Sequence, residues 1–429
     1  IHAMAKMAIG LGQGGGPLEV KPKPFAQPAT GPQELIERAW LAARFLRHDG
    51  VGAGSVGDRL ALANASNLLQ LSAEDSPWTV PAEGYAWLVE GRVRVLDDRG
   101  MAWLDSDDRA AEQPLPPGAT LKADEHRGAT LALLAESILA APPREHHDNP
   151  FSPACYLAEA VFADFEFGTL RLPTMPRVAF LIRERAEDPN VNLQEIAEIA
   201  QSDGAIAGRL LHVANSVAFA GGPRHRTVLA AVQRLGLKTT QSLVLSLALR
   251  EVFAFDSPLV KHEALRAWRF SVAVSAAAYA VADASGLDGQ IAIMAGLVHQ
   301  IGQVPILAAT EQHGIPIEPP TLRALLDRLV KPATFQVLGH WGLDSTALDA
   351  ARHWDNWNRR HAGPGDYGDV IQLAARFYLE KNHMDDALPA LEALPAVSAL
   401  GLNTAPEELE ELRVAMDMSM AMMVPLLHG

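Results

Sequence analysis

The sequence predicts an α+β multidomain protein: a small amino-terminal β-roll with flanking helices, then an all-helical domain and one further C-terminal helix. Three observations lead there. Between Trp78 and Leu131 short apolar runs alternate with tight turns, as strands do. From Phe151 onward the strand-like runs stop, and long Ala- and Leu-rich segments recur at helical spacing. Between them lies Pro142–Pro150, polar, proline-rich and aperiodic, which marks a domain boundary.

Taken in order, residues 1–33 are rich in Gly, Pro, Lys and Ala and read as a flexible tail. Residues 34–145 form the roll with its helices. The first helix carries Leu35, Ala39, Trp40, Ala43 and Leu46 on one side, and a second follows around Asp58–Leu69. Tyr85–Val89 and Val93–Leu96 are strand-like, with turn signals at Glu90-Gly91 and at Asp97-Asp98-Arg99-Gly100. Ala129–Leu134 leads into a helix ending near Ala141. His146 and His147 fall in the linker with no further ligand types nearby, so they read as solvated. Residues 151–384 form the helical domain and 385–429 a helical extension. Its last helix, from Pro406 to Leu427, is notable for Met416, Met418, Met420, Met422 and Met423, a stripe that usually belongs to a core.

Composition narrows the function. The 429 residues, 48% hydrophobic and 20% charged, can bury sizeable cores. A formal net charge of −15 argues against nucleic acid or anionic membrane as a general partner, since both need a positive field. One cysteine, Cys155, can form neither an internal disulfide nor a cysteine zinc cluster, so the chain reads as cytoplasmic. No long uncharged apolar stretch stands out as a membrane span. No GxSxG, HExxH, Walker or GxGxxG element occurs in its required context, and Gly12–Gly16 follows no strand.

Residues 170–250 hold a series of helix stops and starts. Leu172-Pro173-Thr174-Met175-Pro176 imposes an extended approach to a helix. Asn192 can cap the next helix, and Ser202-Asp203 starts another. That helix ends in Ala214-Asn215-Ser216, whose side chains can bond exposed backbone groups. Leu235-Gly236-Leu237 makes a stop and turn. The elements LPTMPRV, SDGAIAGRLLHVANSVAFAG, AAVQRLGLKTTQSLVLSLAL and AGLVHQIGQVPILA together resemble the HDOD family, the HD-related output domains, over about Thr169–Leu379. The resemblance implies an all-helical fold of two packed halves, related to the HD phosphohydrolases and found in bacterial signalling proteins. It also marks Pro173, Pro176, Asp203, Arg209, Asn215, Ser216, Gly236, Gly296 and Gly302 as signature positions, expected to be structural.

HD enzymes hold metal ions with histidines and aspartates from separate helices, and the metal lowers the pKa of a bound water. Carried onto this chain, the first histidine falls on Phe270, the adjacent His-Asp pair on His299-Gln300, and the distal aspartate on Ala375. Phenylalanine and alanine cannot ligate, and glutamine is a poor bridging ligand. The resemblance therefore implies a degenerate site, with no catalytic residues, no metal and no cofactor. His299, in an apolar helix, reads as a core histidine.

Residues from about Asn64 to Ala141 resemble a cyclic-nucleotide-binding roll. Tyr85–Val95 is similar to its early hairpin, and Arg127-Gly128-Ala129-Thr130 to the end of its phosphate cassette. Asp124 and Glu125 stand where the ribose-binding element should be, and acids beside Arg127 repel phosphate. The reading is a non-catalytic regulator or adaptor contacting other signalling proteins. The alternative is a regulator binding a cyclic mono- or dinucleotide through Arg127, Thr130 or the basic pair Arg359-Arg360. A metal-dependent phosphohydrolase comes third. Oligomeric state is left open.

Overall fold

The computed structural model describes residues 31–45, 56–72, 77–82, 85–97, 100–106, 111, 113–124, 128–134, 152–186, 191–216, 224–343, 345–384, 388–403 and 405–428. Residues 1–30 of the expected tail, the Pro142–Pro150 linker with His146 and His147, and Arg127 lie outside them, while Pro32 and Gln33, expected in the tail, already belong to the first helix. The chain divides into two compact units: residues 1–170 with 313–325, and residues 171–312 with 326–429.

The first unit opens with helices α1 (Pro32–Arg44) and α2 (Val56–Ala65). Strands β1 (Asn67–Leu71), β2 (Trp78–Thr79), β3 (Tyr85–Asp97), β4 (Gly100–Asp105), β5 (Thr120–Ala123) and β6 (Ala129–Leu134) follow. All pairings are antiparallel, in the order β1-β6-β3-β5-β2, with β4 on β3. Three expectations change here: the second helix, expected to run to about Leu69, ends at Ala65, and Asn67–Leu71 pairs as a strand. Glu90-Gly91 is not a turn: β3 runs through it with an irregularity between Leu88 and Glu90, passing from β6 to β4 and β5. Gly91 sits at φ 88°, and a Cβ there would lie 2.3 Å from the Gly128 carbonyl oxygen, so two backbones cross where only glycine fits. The hairpin is at Asp97–Gly100, as the turn residues suggested. Ala129–Leu134, expected to lead into a helix, is a strand, because its alternate residues Ala129, Leu131 and Leu133 fill the sheet core beside Leu88, Val93 and Leu121.

Helix α3 (Pro153–Glu166) belongs to this unit. The sequence boundary at 145–150 and the structural division at Leu170 therefore differ, and the physical link is buried charge. Arg59 donates to Glu159 on α3 at 2.6 Å, and Arg44 to Glu166 at 2.9 Å while its Nε donates to the Val89 carbonyl. Cys155 on α3 is buried, which pushes its thiol up to about 11 and leaves it a packing residue.

The second unit contains α4 (Arg177–Ala186), α5 (Leu193–Gln201), α6 (Gly204–Ala214), α7 (Val228–Leu235), α8 (Leu237–Arg250), α9 (Pro258–Ala284) and α10 (Gly289–Val298). It continues with most of α11 (Gln303–His313), the larger part of α12 (Pro319–His340), α13 (Ser345–His353), α14 (Tyr367–Lys381), α15 (Pro395–Ala399) and α16 (Pro406–His428). Among the described residues there is no strand after Leu134. Long α9 is the axis of the core: Val274, Ala277 and Val281 on it pack with Leu373 and Ala374 of α14 and Leu412, Met416 and Met420 of α16. Small alanines on α9 let its neighbours come close. Residues 385–429, expected as an extension, thus complete this core, and Ser419 donates to the Ala276 carbonyl at 2.6 Å. The methionine stripe splits, with Met416 and Met420 buried but Met418 and Met422 exposed. The stretch Gly289–His313 is long and apolar enough to cross a membrane, which the sequence reading passed over, yet 83% of its most apolar window is buried inside the fold.

Candidate functional site

The positions where HD enzymes hold metal converge in the second unit. Helix α10 is pressed onto α9 at Gly296, where a Cβ would lie 2.5 Å from Ser275 Cα. That contact sets His299, at the end of α10, beside Phe270 of α9. Their ring centroids are 5.3 Å apart. Trp354 closes on both, at 5.5 Å from His299 and 5.7 Å from Phe270, and Tyr378 of α14 meets Phe270 at 5.1 Å. Ala375, one turn before Tyr378, is fully buried in the same core.

The donor set does not fit a divalent ion. Phe270 and Ala375 have no ligand atom, and Gln300 is buried with its carbonyl accepting from the Gln303 amide. His299 remains. Its Nδ1 lies 2.7 Å from the Gly296 carbonyl oxygen and donates to it, so Nε2 carries the lone pair, with no hydrogen-bond partner among the described residues. Burial lowers the imidazole to about 4, against a smaller raising effect of the Gly296 bond. It is therefore neutral at pH 7. Because it takes up a proton near 6.5 only when unfolded, stability should fall as pH drops from about 6.5 to about 4, by ~3 kcal/mol in all. Urea denaturation across that range should show a shallower slope in His299→Leu than in the natural protein, and equal slopes would refute the assignment.

A second polar cluster stands at the start of α14. Asp366 and Asp369 form a capping box, each carboxylate accepting from the other's backbone N–H at 3.2 and 3.0 Å. Arg359 donates to Asp366 at 2.5 Å and to Asp369 at 2.6 Å, and His361 Nε2 lies 2.8 Å from Asp369. His361, Asp366 and Asp369 are spaced as metal ligands could be, and the cation the two aspartates hold is the Arg359 guanidinium. Burial pushes the Asp366 carboxyl up, but its bonds with Arg359 outweigh this and hold it below the usual range. Sequence reasoning missed this cluster; Asp-x-x-Asp before an apolar helix was its available signal. It also takes Arg359 away from the nucleotide alternative.

Several signature positions bond within the scaffold. Trp341 Nε1 donates to the Pro173 carbonyl at 2.7 Å, fixing the extended segment before α4, and the Pro176 carbonyl accepts from Phe180 N in its first turn. Asp203 accepts from Ala205 and Ile206 N–H at 2.8 and 3.0 Å, and Asn192 caps α5 as predicted. Gly236, at φ 79°, ends α7 and begins α8. Arg209 is half-buried on α6. Asn215 binds across the break after α6: its amide donates to the Leu211 and His225 carbonyls at 2.8 and 3.0 Å and accepts from His225 N at 2.8 Å. The Ser216 hydroxyl, expected to share that work, has no partner among the described residues. Asn215→Ala is expected to destabilise by roughly 1–3 kcal/mol, weakening partner capture only through unfolding. An unchanged melting temperature with abolished capture would make Asn215 a contact residue instead. In the first unit Thr130 is a half-buried strand residue opposite Gln70 and Glu90.

Residues 172–356 match the HDOD domain. The chain is similar to a candidate metal-dependent phosphohydrolase from Shewanella amazonensis SB2B, with 27% identity and a TM-score of 0.50 over 63% of this chain and 100% of that one. A candidate signal transduction protein from Marinobacter aquaeolei VT8 matches over 88% of this chain and 100% of its own, at 17% identity and a TM-score of 0.47. An uncharacterized protein of Treponema pallidum (strain Nichols) is 24% identical over 230 residues, 51% of this chain and 44% of that protein, so the chain spans less than half of that curated relative.

Proposed function

We propose, from the HDOD domain at residues 172–356, that the chain is a non-catalytic signal-transduction regulator acting through protein contacts of that domain. One observation carries the reading: the rings of Phe270, Trp354 and Tyr378 pack together where an HD enzyme needs ligands, leaving a single bare imidazole nitrogen. Such a nest, half-buried against the core, has too few ligand atoms to hold a metal that would activate water. No observation favours the nucleotide alternative, since Arg359 is committed to two aspartates and Thr130 to the sheet.

The test is turnover. With Mn²⁺ or Mg²⁺ added, the protein is expected to hydrolyse bis-p-nitrophenyl phosphate no faster than the buffer does. Restoring ligand types in a Phe270→His, Gln300→Asp, Ala375→Asp variant should be required before a divalent ion binds by calorimetry. Metal-dependent turnover that His299→Ala abolishes would sink the proposal.

A further inference from the structure

Two surfaces on this chain are exposed and complementary. The first is the outward face of β4, β3 and β5. Cross-strand pairing puts Arg92 beside Asp105, Arg94 beside Trp103 and Lys122, and Leu96 beside Met101 and Thr120. Directly paired residues share a face, and the opposite face, with Val93, Leu121 and Ala123, is the buried one. Leu96 is 51% exposed and Met101 66%. The Trp103 ring carries both guanidinium groups, Arg92 at 4.8 Å and Arg94 at 4.6 Å, which holds two cations upright on the face. Neither Arg94 nor Lys122 has an acid across from it; Asp105 and Asp124 stand at the Arg92 end.

The second surface is the outer side of α16. Glu407, Glu411, Val414, Met418 and Met422 fall on one stripe at helical spacing, and all are exposed. Acids occupy its first turns and apolar residues the rest, so a negative end leads into a methionine-rich one. The sheet block from Arg92 to Leu96 is about 13 Å long at a strand's rise. The helix from Glu407 to Met418 spans about 17 Å.

We infer that the outward face of β4, β3 and β5 docks the α16 stripe of a second copy of this chain. Glu407 and Glu411 meet Arg94 and Lys122, while Val414 and Met418 cover Trp103, Leu96 and Met101. The matching of cations to acids and of apolar to apolar patches at similar length selects this occupant. A polyanion such as single-stranded nucleic acid would leave Leu96 and Met101 uncovered and would face a chain of net charge −15.

The experiment is sedimentation equilibrium of the full chain, with charge reversals on each side. Wild type should self-associate. Arg94→Glu/Lys122→Glu and Glu407→Lys/Glu411→Lys should each weaken association about tenfold or more. Because all four residues are on the surface, circular dichroism melts should stay unchanged. Mixing the two variants should restore association, since each supplies the charge the other lacks. A monomer at every concentration, association indifferent to the reversals, or a mixture that stays dissociated would each overturn the inference. So would a monomer whose Arg94 face binds a single-stranded oligonucleotide.

Discussion

Gly302→Ala is expected to destabilise the second unit by about 3 kcal/mol or more, the upper end of overpacking effects. A Cβ at this position would lie 2.2 Å from Thr334 N and 2.3 Å from the Val330 carbonyl oxygen, both backbone atoms of α12. A flexible side chain could swing aside, but a helix backbone must move as a body. The glycine N–H also donates to Thr334 Oγ1 at 3.0 Å, and that hydroxyl donates to the Val330 carbonyl at 2.7 Å. Separating the backbones would strand both groups in a dry interior. Gly339, on the same α12, has nothing within 4 Å of its would-be Cβ. Gly339→Ala should therefore be neutral or stabilise by roughly 0.5–1 kcal/mol. Chemical denaturation of the two variants checks the pair; equal effects would show that close approach is not what Gly302 provides.

Arg359→Met is expected to cost about 3–5 kcal/mol, because it leaves the buried Asp369 carboxylate with only His361 and a backbone N–H. Arg359→Lys should recover part of the loss, since an ammonium is a point charge and cannot span both carboxylates as the fork does. The pH dependence follows from the Asp366 carboxyl, held below its ordinary range in the folded state. A depressed carboxyl stabilises the fold above its unfolded pKa, about 3.9, and that contribution is lost as pH falls through the lower folded value. Removing Arg359 leaves burial, which acts the other way. Acid unfolding of Arg359→Met should therefore begin at higher pH than in the natural protein. An unshifted acid transition would show that the ion pair contributes nothing to folding.

Much of the second unit was legible in the sequence because its punctuation is local. Asn192, Asp203 and Gly236 act within a turn of themselves, and the structure uses each where its chemistry suggested. That Phe270 and Ala375 carry no ligand atom was legible too, since the residue type alone shows it. What escaped depends on contacts distant in sequence. Trp354 and Tyr378 join Phe270 from segments about 80 and 110 residues away, and hydrophobic period alone does not say which rings will meet. Glu90-Gly91 read as a turn because glycine permits both a turn and a bulge, and only the crossing with Gly128 decides between them. Likewise, α3 looked like the start of the helical domain until Arg44 and Arg59 supplied partners for its glutamates.

The proposed function requires that the nest of Phe270, Trp354 and Tyr378 hold no metal. Elemental analysis of the purified protein, with thermal melts before and after EDTA, tests it most directly. No stoichiometric divalent metal and an unchanged melting temperature are expected. About one bound ion per chain, lost to EDTA with a destabilisation of several kcal/mol, would contradict it.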